Sequence, residues 1–150
     1  MRARFFAVLL CTFALVGACA IAPEYSAVAY KNATDLKVES LELISESTDS
    51  YSQHSLQAKD LTENLDKAYE YANGLPHNEV TAEMWWKIKS PDQPLVGGYL
   101  ALWRTRGKVT PALADEYQTQ VAEAFDYLIC LEANKKTLSR CEAKAPAGDG

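Results

Sequence analysis

The run TPALADEYQTQVAEAFDYLICLEANKK, residues 110–136, decides the fold. Thr110 and Pro111 have the chemistry of an N-cap and a first helical position. Behind them Ala114, Tyr117, Val121, Ala124, Leu128 and Leu131 recur in steps of three and four, widened by Phe125 and Ile129. Asp115 and Glu116 sit early and Lys135 and Lys136 late, the order that complements a helix dipole. The pattern predicts one long amphipathic helix whose apolar face needs a partner.

The partner expected for it lies upstream. From Thr34 to Gly74 the pattern is again helical, with Ile44, Ser47, Tyr51, His54, Ala58, Leu61, Leu65, Ala68, Ala72 and Leu75 close to a 3.5-residue period. Ser47 and His54 weaken the first half of this seam. A second register through Leu41, Ile44, Thr48 and Tyr51 fits that half better, so the two halves meet at a stutter or at a break. The Ser, Thr and Asp residues between Ser45 and Ser55 lower helix propensity there. Asn73-Gly74-Leu75-Pro76 reads as a left-handed glycine stop followed by proline.

Two shorter helices are expected between the long ones. Thr81–Lys89 carries Met84, Trp85, Trp86 and Ile88, and Leu95–Arg106 carries Tyr99, Leu102 and Trp103. Ser90 and Gln93 have capping-box spacing around Pro91, which makes this stretch a turn or a helix start. Gly97-Gly98 permits close backbone packing, and Arg104, Arg106 and Gly107 supply cations and a stop. The expected fold is therefore all-α: an antiparallel helical bundle or hairpin of two long helices joined by two short ones. The helical domain spans 34–138, and the Ala/Gly/Pro-rich residues 139–150 form a disordered tail.

The chain has 150 residues and a formal charge of −5, with a pI near 5.0. That size suits one domain, and that charge argues against a general nucleic-acid binder. Hydrophobic residues at 48% and charged residues at 23% describe a packed domain. The two histidines, His54 and His77, have no second ligand at metal-binding spacing. His54 on the seam reads as a hydrogen-bonded core residue and His77 as a solvated turn residue. Glu39, Glu42, Glu46, Glu63, Glu70 and Glu123 read as solvated helix faces. HExxH, GxSxG, P-loop and GxGxxG motifs are absent from the sequence. The expectation is a non-enzyme without metal or cofactor.

Cys130 and Cys141 are 11 residues apart. Along a continuous helix that separation is about 16 Å, too far for a bridge. A disulfide requires the chain to turn back after about Lys136, and an exported protein favours that pairing. Otherwise Cys130 is buried and Cys141 is a free thiol, or the two belong to a metal site, for which the sequence offers too few ligands. The aromatic group Met84, Trp85, Trp86, Tyr99 and Trp103 either caps the bundle core or offers a tryptophan to a partner. The adjacent Trp85 and Trp86 point about 100° apart on a helix, so one of them is a candidate for exposure. Trp85, Trp86, Trp103, Arg104 and Arg106 are the candidate partner-binding residues.

The N-terminus supplies an address. Arg2 and Arg4 precede an apolar stretch from Phe5 to Val16, and Gly17 and Ala18 are small. Val16-Gly17-Ala18-Cys19 resembles the lipobox of bacterial lipoproteins. The resemblance covers only this signal and implies that Cys19 receives a diacylglycerol and, after cleavage, an acylated amine. It implies a signal peptide at 1–18 and a lipid anchor with a tether at 19–33, about 46 Å at full extension from Ala20. Ala20, in place of the aspartate that retains many such proteins in the inner membrane, points to the outer membrane facing the periplasm. Ordinary secretion is the alternative, with cleavage after Ala20 and a soluble product. Removing residues 1–18 takes away two arginines and no acid, so 13 basic and 20 acidic residues leave a charge of −7.

Taken together, these features describe a lipid-anchored, non-enzymatic interaction or adaptor protein of the cell envelope with an unknown protein partner. The alternatives are a coiled-coil-like homo-oligomer, whose seam polar residues Ser47 and His54 would set register, and a helical module binding a small ligand or inhibitor.

Overall fold

The computed structural model describes residues 23–145. The signal, Cys19 and residues 146–150 lie outside the described residues. The elements are α1 (Ala27–Ser45), α2 (Tyr51–Asn73), α3 (Glu79–Lys89), α4 (Val96–Arg106) and α5 (Pro111–Ala133). Two 3₁₀ segments, Glu46–Thr48 and Leu138–Lys144, complete the order, and there is no strand among the described residues. The chain is all-α. None of the described helices is long and apolar enough to cross a membrane.

The expected single helix from Thr34 to Gly74 is two helices. Ser45 Oγ donates to the Glu42 carbonyl and Ser47 Oγ to the Ile44 carbonyl, each at 2.6 Å. Such local bonds compete with helix continuation. Asp49 is extended at φ −84° and ψ 171°. The segment connecting α4 to α5 holds the break open. Val109 N–H donates to the Ser47 carbonyl at 3.2 Å, and Tyr51 N–H to the Gly107 carbonyl at 2.7 Å.

This reversal replaces the expected hairpin of two long helices with three antiparallel ones. α1 packs on both α2 and α5. Lys37 pairs with Asp126 at 2.7 Å, and Gln118 Nε2 donates to the Leu41 carbonyl at 3.3 Å, which fixes α5 antiparallel to α1. Ser26 meets the Tyr71 hydroxyl at 2.9 Å and fixes α2 the same way. Ala58, Leu61, Leu65, Ala68 and Ala72 face the interior, so the seam read for self-association is used within the chain. Ser47 is buried against Tyr99, and His54 packs its ring 5.5 Å from that of Trp103.

The domain limits shift at both ends. Ser26 is the N-cap of α1, accepting from Ala29 N–H at 3.2 Å, so residues 27–33 belong to the domain and the tether ends earlier than expected. Thr34 lies inside α1 and bonds the Lys31 carbonyl. At the other end the chain turns back after α5, Cys141 is buried, and Cys130 and Cys141 form a disulfide with Cα atoms 5.7 Å apart. The expected disordered tail is therefore ordered as far as Lys144.

The remaining caps are mixed. Thr110 caps α5, accepting from Leu113 N–H, with Pro111 inside. Gly74 is right-handed, at φ −80°, and the left-handed residue of that loop is His77, at φ 58°. Gly107 does take positive φ, at 77°. Ser90 ends α3 instead of opening α4, which begins without a side-chain cap. A Cβ on Gly97 would stand 2.1 Å from the Lys89 carbonyl oxygen, so the close approach of α4 to the end of α3 requires glycine there.

Reduction of the Cys130–Cys141 bridge removes a constraint on the unfolded chain worth about 3 kcal/mol by the loop-entropy relation. The expected outcome is a thermal midpoint lowered by several degrees in reductant. An unchanged midpoint would show that the bridge does not stabilise the fold.

Candidate functional site

The aromatic cluster divides. Trp85 is fully buried and meets Phe125 edge-on at 6.1 Å between ring centroids. Trp103 is fully buried too, edge-on to Tyr51 at 5.3 Å, and its Nε1 donates to the Asp49 carbonyl at 3.2 Å. Neither is open to a partner, which corrects the expectation for both. Met84 and Tyr99 are core residues as well. Trp86, about 100° round α3 from Trp85, is 42% exposed. Arg104 and Arg106 are exposed in the last turn of α4 and take part in no ion pair among the described residues.

The antiparallel helices give the molecule two unlike ends. Arg104, Arg106 and Lys108 are exposed at the end that carries the α1–α2 reversal. The other end gathers the starts of α1 and α3 and the ends of α2 and α5. There a cavity of about 360 Å³ opens between the entering segment Pro23–Ser26 and the loop Leu75–Asn78. Tyr25, Val28, Tyr71 and Val80 are exposed at this same end.

Beneath that loop lies a polar cluster that sequence reading missed. Lys135, read from the sequence as a helix-end cation, is buried, and so is Glu132 one turn earlier. Lys135 Nζ stands 3.0 Å from Glu132 Oε2 and donates to Thr81 Oγ1 at 2.7 Å and to Asn78 Oδ1 at 2.5 Å. Asn78 Nδ2 donates to the Ala72 carbonyl at 2.7 Å, a C-terminal carbonyl of α2 that also accepts from Leu75 N–H at 3.3 Å. Neither Glu132 oxygen makes a hydrogen bond, and Oε2 meets Lys135 as an ion pair alone. Burial pushes the Glu132 carboxyl up and the Lys135 amine down, each opposed by their mutual attraction. Only the position of Asn78, ahead of a helix start and after proline, hinted at capping.

A third feature is an acidic depression of about 260 Å³ between α1 and α2, lined by Glu39, Glu42, Leu43, Glu46, Gln57 and Asp60. Glu39, expected on a solvated face, is half-buried there. Desolvation raises its pKa above the ordinary carboxylate value, against a hydrogen bond from Asn64 and with the help of Asp60, Asp35 and Glu42. His54 Nδ1 lies 3.1 Å from Glu46 Oε2. Among the described residues there is no group of three or more His, Cys, Asp or Glu arranged to hold a metal.

Two measurements follow from this arrangement. Trp85→Ala should cost about 3–5 kcal/mol of stability, as for a buried aromatic, whereas Trp86→Ala should stay within about 0.5 kcal/mol, as for a surface site. Chemical denaturation of both variants distinguishes them, and equal losses would contradict their burial. The raised Glu39 pKa means that the folded state holds this proton more tightly than the unfolded one. Stability from the protonated form is present below the ordinary value of 4.5 and lost as pH rises through the folded value. Glu39→Gln should therefore raise the melting temperature at pH 7, and its advantage should vanish below the ordinary carboxylate range. An advantage that persists in acid would place its origin elsewhere.

Compared with known proteins, the chain matches no family model, no curated protein and no solved structure.

Proposed function

We propose that the mature chain is a lipid-anchored, non-enzymatic interaction protein of the cell envelope, held at Cys19 in the outer membrane and facing the periplasm. The observation that carries this reading is Val16-Gly17-Ala18-Cys19 behind a charged start and an apolar core. The Cys130–Cys141 disulfide supports it, because such bridges persist in oxidising compartments outside the cytoplasm.

The early start of α1 shortens the leash. Seven residues, Ala20–Ser26, separate Cys19 from the helix, a reach of at most about 23 Å. The end bearing Tyr25, Val28, Tyr71 and Val80 is thereby kept beside the bilayer, and tyrosine is suited to that interface because its ring is apolar and its hydroxyl wet. The opposite end then faces outward with Arg104, Arg106 and Lys108, and these exposed cations on a chain of charge −7 are the surface offered to a partner bearing carboxylates or other anions. Trp86 on α3 adds an apolar contact. The non-enzymatic reading rests on the sealed position of Glu132 and Lys135, where no substrate reaches them.

Mass spectrometry of the mature N-terminus tests the anchor. A diacylated, N-acylated Cys19 is expected, and an unmodified chain beginning at Ile21 would leave a soluble secreted protein. For the outward end, the double variant Arg104→Glu and Arg106→Glu should lose the partner that cross-linking captures in native membranes. Its melting temperature should stay near that of the parent.

A further inference from the structure

Where α3 begins and α5 ends, an amine, a carboxamide and a carboxyl group meet away from water. Asn78, Thr81, Glu132 and Lys135 are all at most 4% exposed. Lys135 Nζ lies 2.5 Å from Asn78 Oδ1. With a carbonyl bond of about 1.23 Å, the carboxamide carbon is therefore no more than about 3.7 Å from the amine nitrogen. Attack on that carbon requires the amine to give up its bond to Oδ1 and swing over the face of the carboxamide, a short move at this separation. The bond from Asn78 Nδ2 to the Ala72 carbonyl turns the carboxamide oxygen toward the lysine. Thr81 Oγ1, 2.7 Å from Nζ, restrains the amine from a second side.

We propose that Lys135 and Asn78 join in an intramolecular isopeptide bond, with Glu132 carrying the proton. The ammonium of Lys135 first gives a proton to Glu132, leaving a neutral amine and a neutral acid. The amine lone pair attacks Cγ of Asn78, and the carbonyl electrons move onto Oδ1. The proton that Nζ then sheds is carried to Nδ2 by the Glu132 carboxyl, which must turn from Nζ toward the carboxamide as Nδ2 lets go of the Ala72 carbonyl. The Cγ–Nδ2 bond breaks as the carbonyl re-forms, and ammonia leaves. The balance is an ammonium, a carboxylate and a primary amide giving a secondary amide, ammonia and a carboxylic acid. No oxidant, metal or other reactant takes part.

Three features of the site serve this chemistry. Burial favours the neutral forms of both Lys135 and Glu132, which is the state that the attack requires. Neither oxygen of Glu132 is held by a hydrogen bond, and Oε2 lies 3.0 Å from Nζ, so the carboxyl is free to take the proton. Exclusion of water protects the carboxamide from hydrolysis. The chain also contains its own control: Lys67 Nζ donates to Asn64 Oδ1 at 3.3 Å, but that pair is exposed to water.

The full mature protein, purified, reduced and denatured, is digested with trypsin and examined by tandem mass spectrometry. A branched peptide joining Asn78 to Lys135, lighter by one ammonia than its two parts and uncleaved after Lys135, is expected. Asn64 and Lys67 should appear in ordinary peptides. Glu132→Gln should lose the branch, because the amide cannot carry the proton as a carboxyl does. Recovery of unbranched wild-type peptides with an intact Asn78 and cleavage after Lys135 overturns the proposal, whether or not the variant folds. A branch that survives in Glu132→Gln overturns the proton-carrying step.

Discussion

Ser47 sits where the architecture turns. Its side chain bonds the Ile44 carbonyl and the Tyr99 hydroxyl, and its own carbonyl accepts from Val109 N–H. These bonds supply the partners that a continuing helix would have supplied, so the chain can reverse inside the protein without leaving backbone groups unpaired. Reversal there makes α1 the middle helix. α2 and α5 both pack on it, α3 and α4 cover the remaining apolar face, and both termini of the domain come to one end. A continuous helix through Ser47 would carry α2 away from α1 and leave Leu43, Ile44 and Leu61 without the neighbours that bury them.

The end holding the termini is reinforced by groups that differ in kind. The disulfide ties the chain after α5 back onto that helix. Lys135 and Asn78 tie α5 to the start of α3, and Asn78 also covers the end of α2. Desolvating Glu132 and Lys135 costs several kcal/mol per ion, and their attraction with the bonds to Thr81 and Asn78 offsets it only in part, since Glu132 Oε1 stays unpaired. Well-packed apolar residues would hold the same place at less cost. A reactive centre gives a physical reason for charge and carboxamide to stand there instead.

The fold also sorts its surface along its length. Exposed tyrosines and valines collect where the chain enters, exposed arginines where α4 ends, and the acidic depression runs along the flank between α1 and α2. Such sorting comes from helix direction. Antiparallel neighbours bring residues distant in sequence to a common height, so Tyr25 and Tyr71 share one end while Arg104 and Asp49 share the other.

Helix identity was legible from local chemistry. The span of α5 followed from Thr110-Pro111 and the apolar repeat, and the sites of α3 and α4 followed from their aromatic runs and Gly97-Gly98, because capping, period and proline act over a few residues. The weak seam at Ser47 and His54 flagged the reversal without deciding between stutter and break, since that choice depends on Tyr99, Gly107 and Val109, which are remote in sequence. The burial of Lys135 and Glu132 was not legible either. A lysine after a helix reads as solvated unless a distant loop brings Asn78 and Thr81 over it. The same limit applies to Trp85 and Trp86, whose composition is alike and whose fates differ. Periodicity and caps are properties of neighbours along the chain and are written in the sequence itself. Desolvation is a property of neighbours in space, and only the packed helices could assign it.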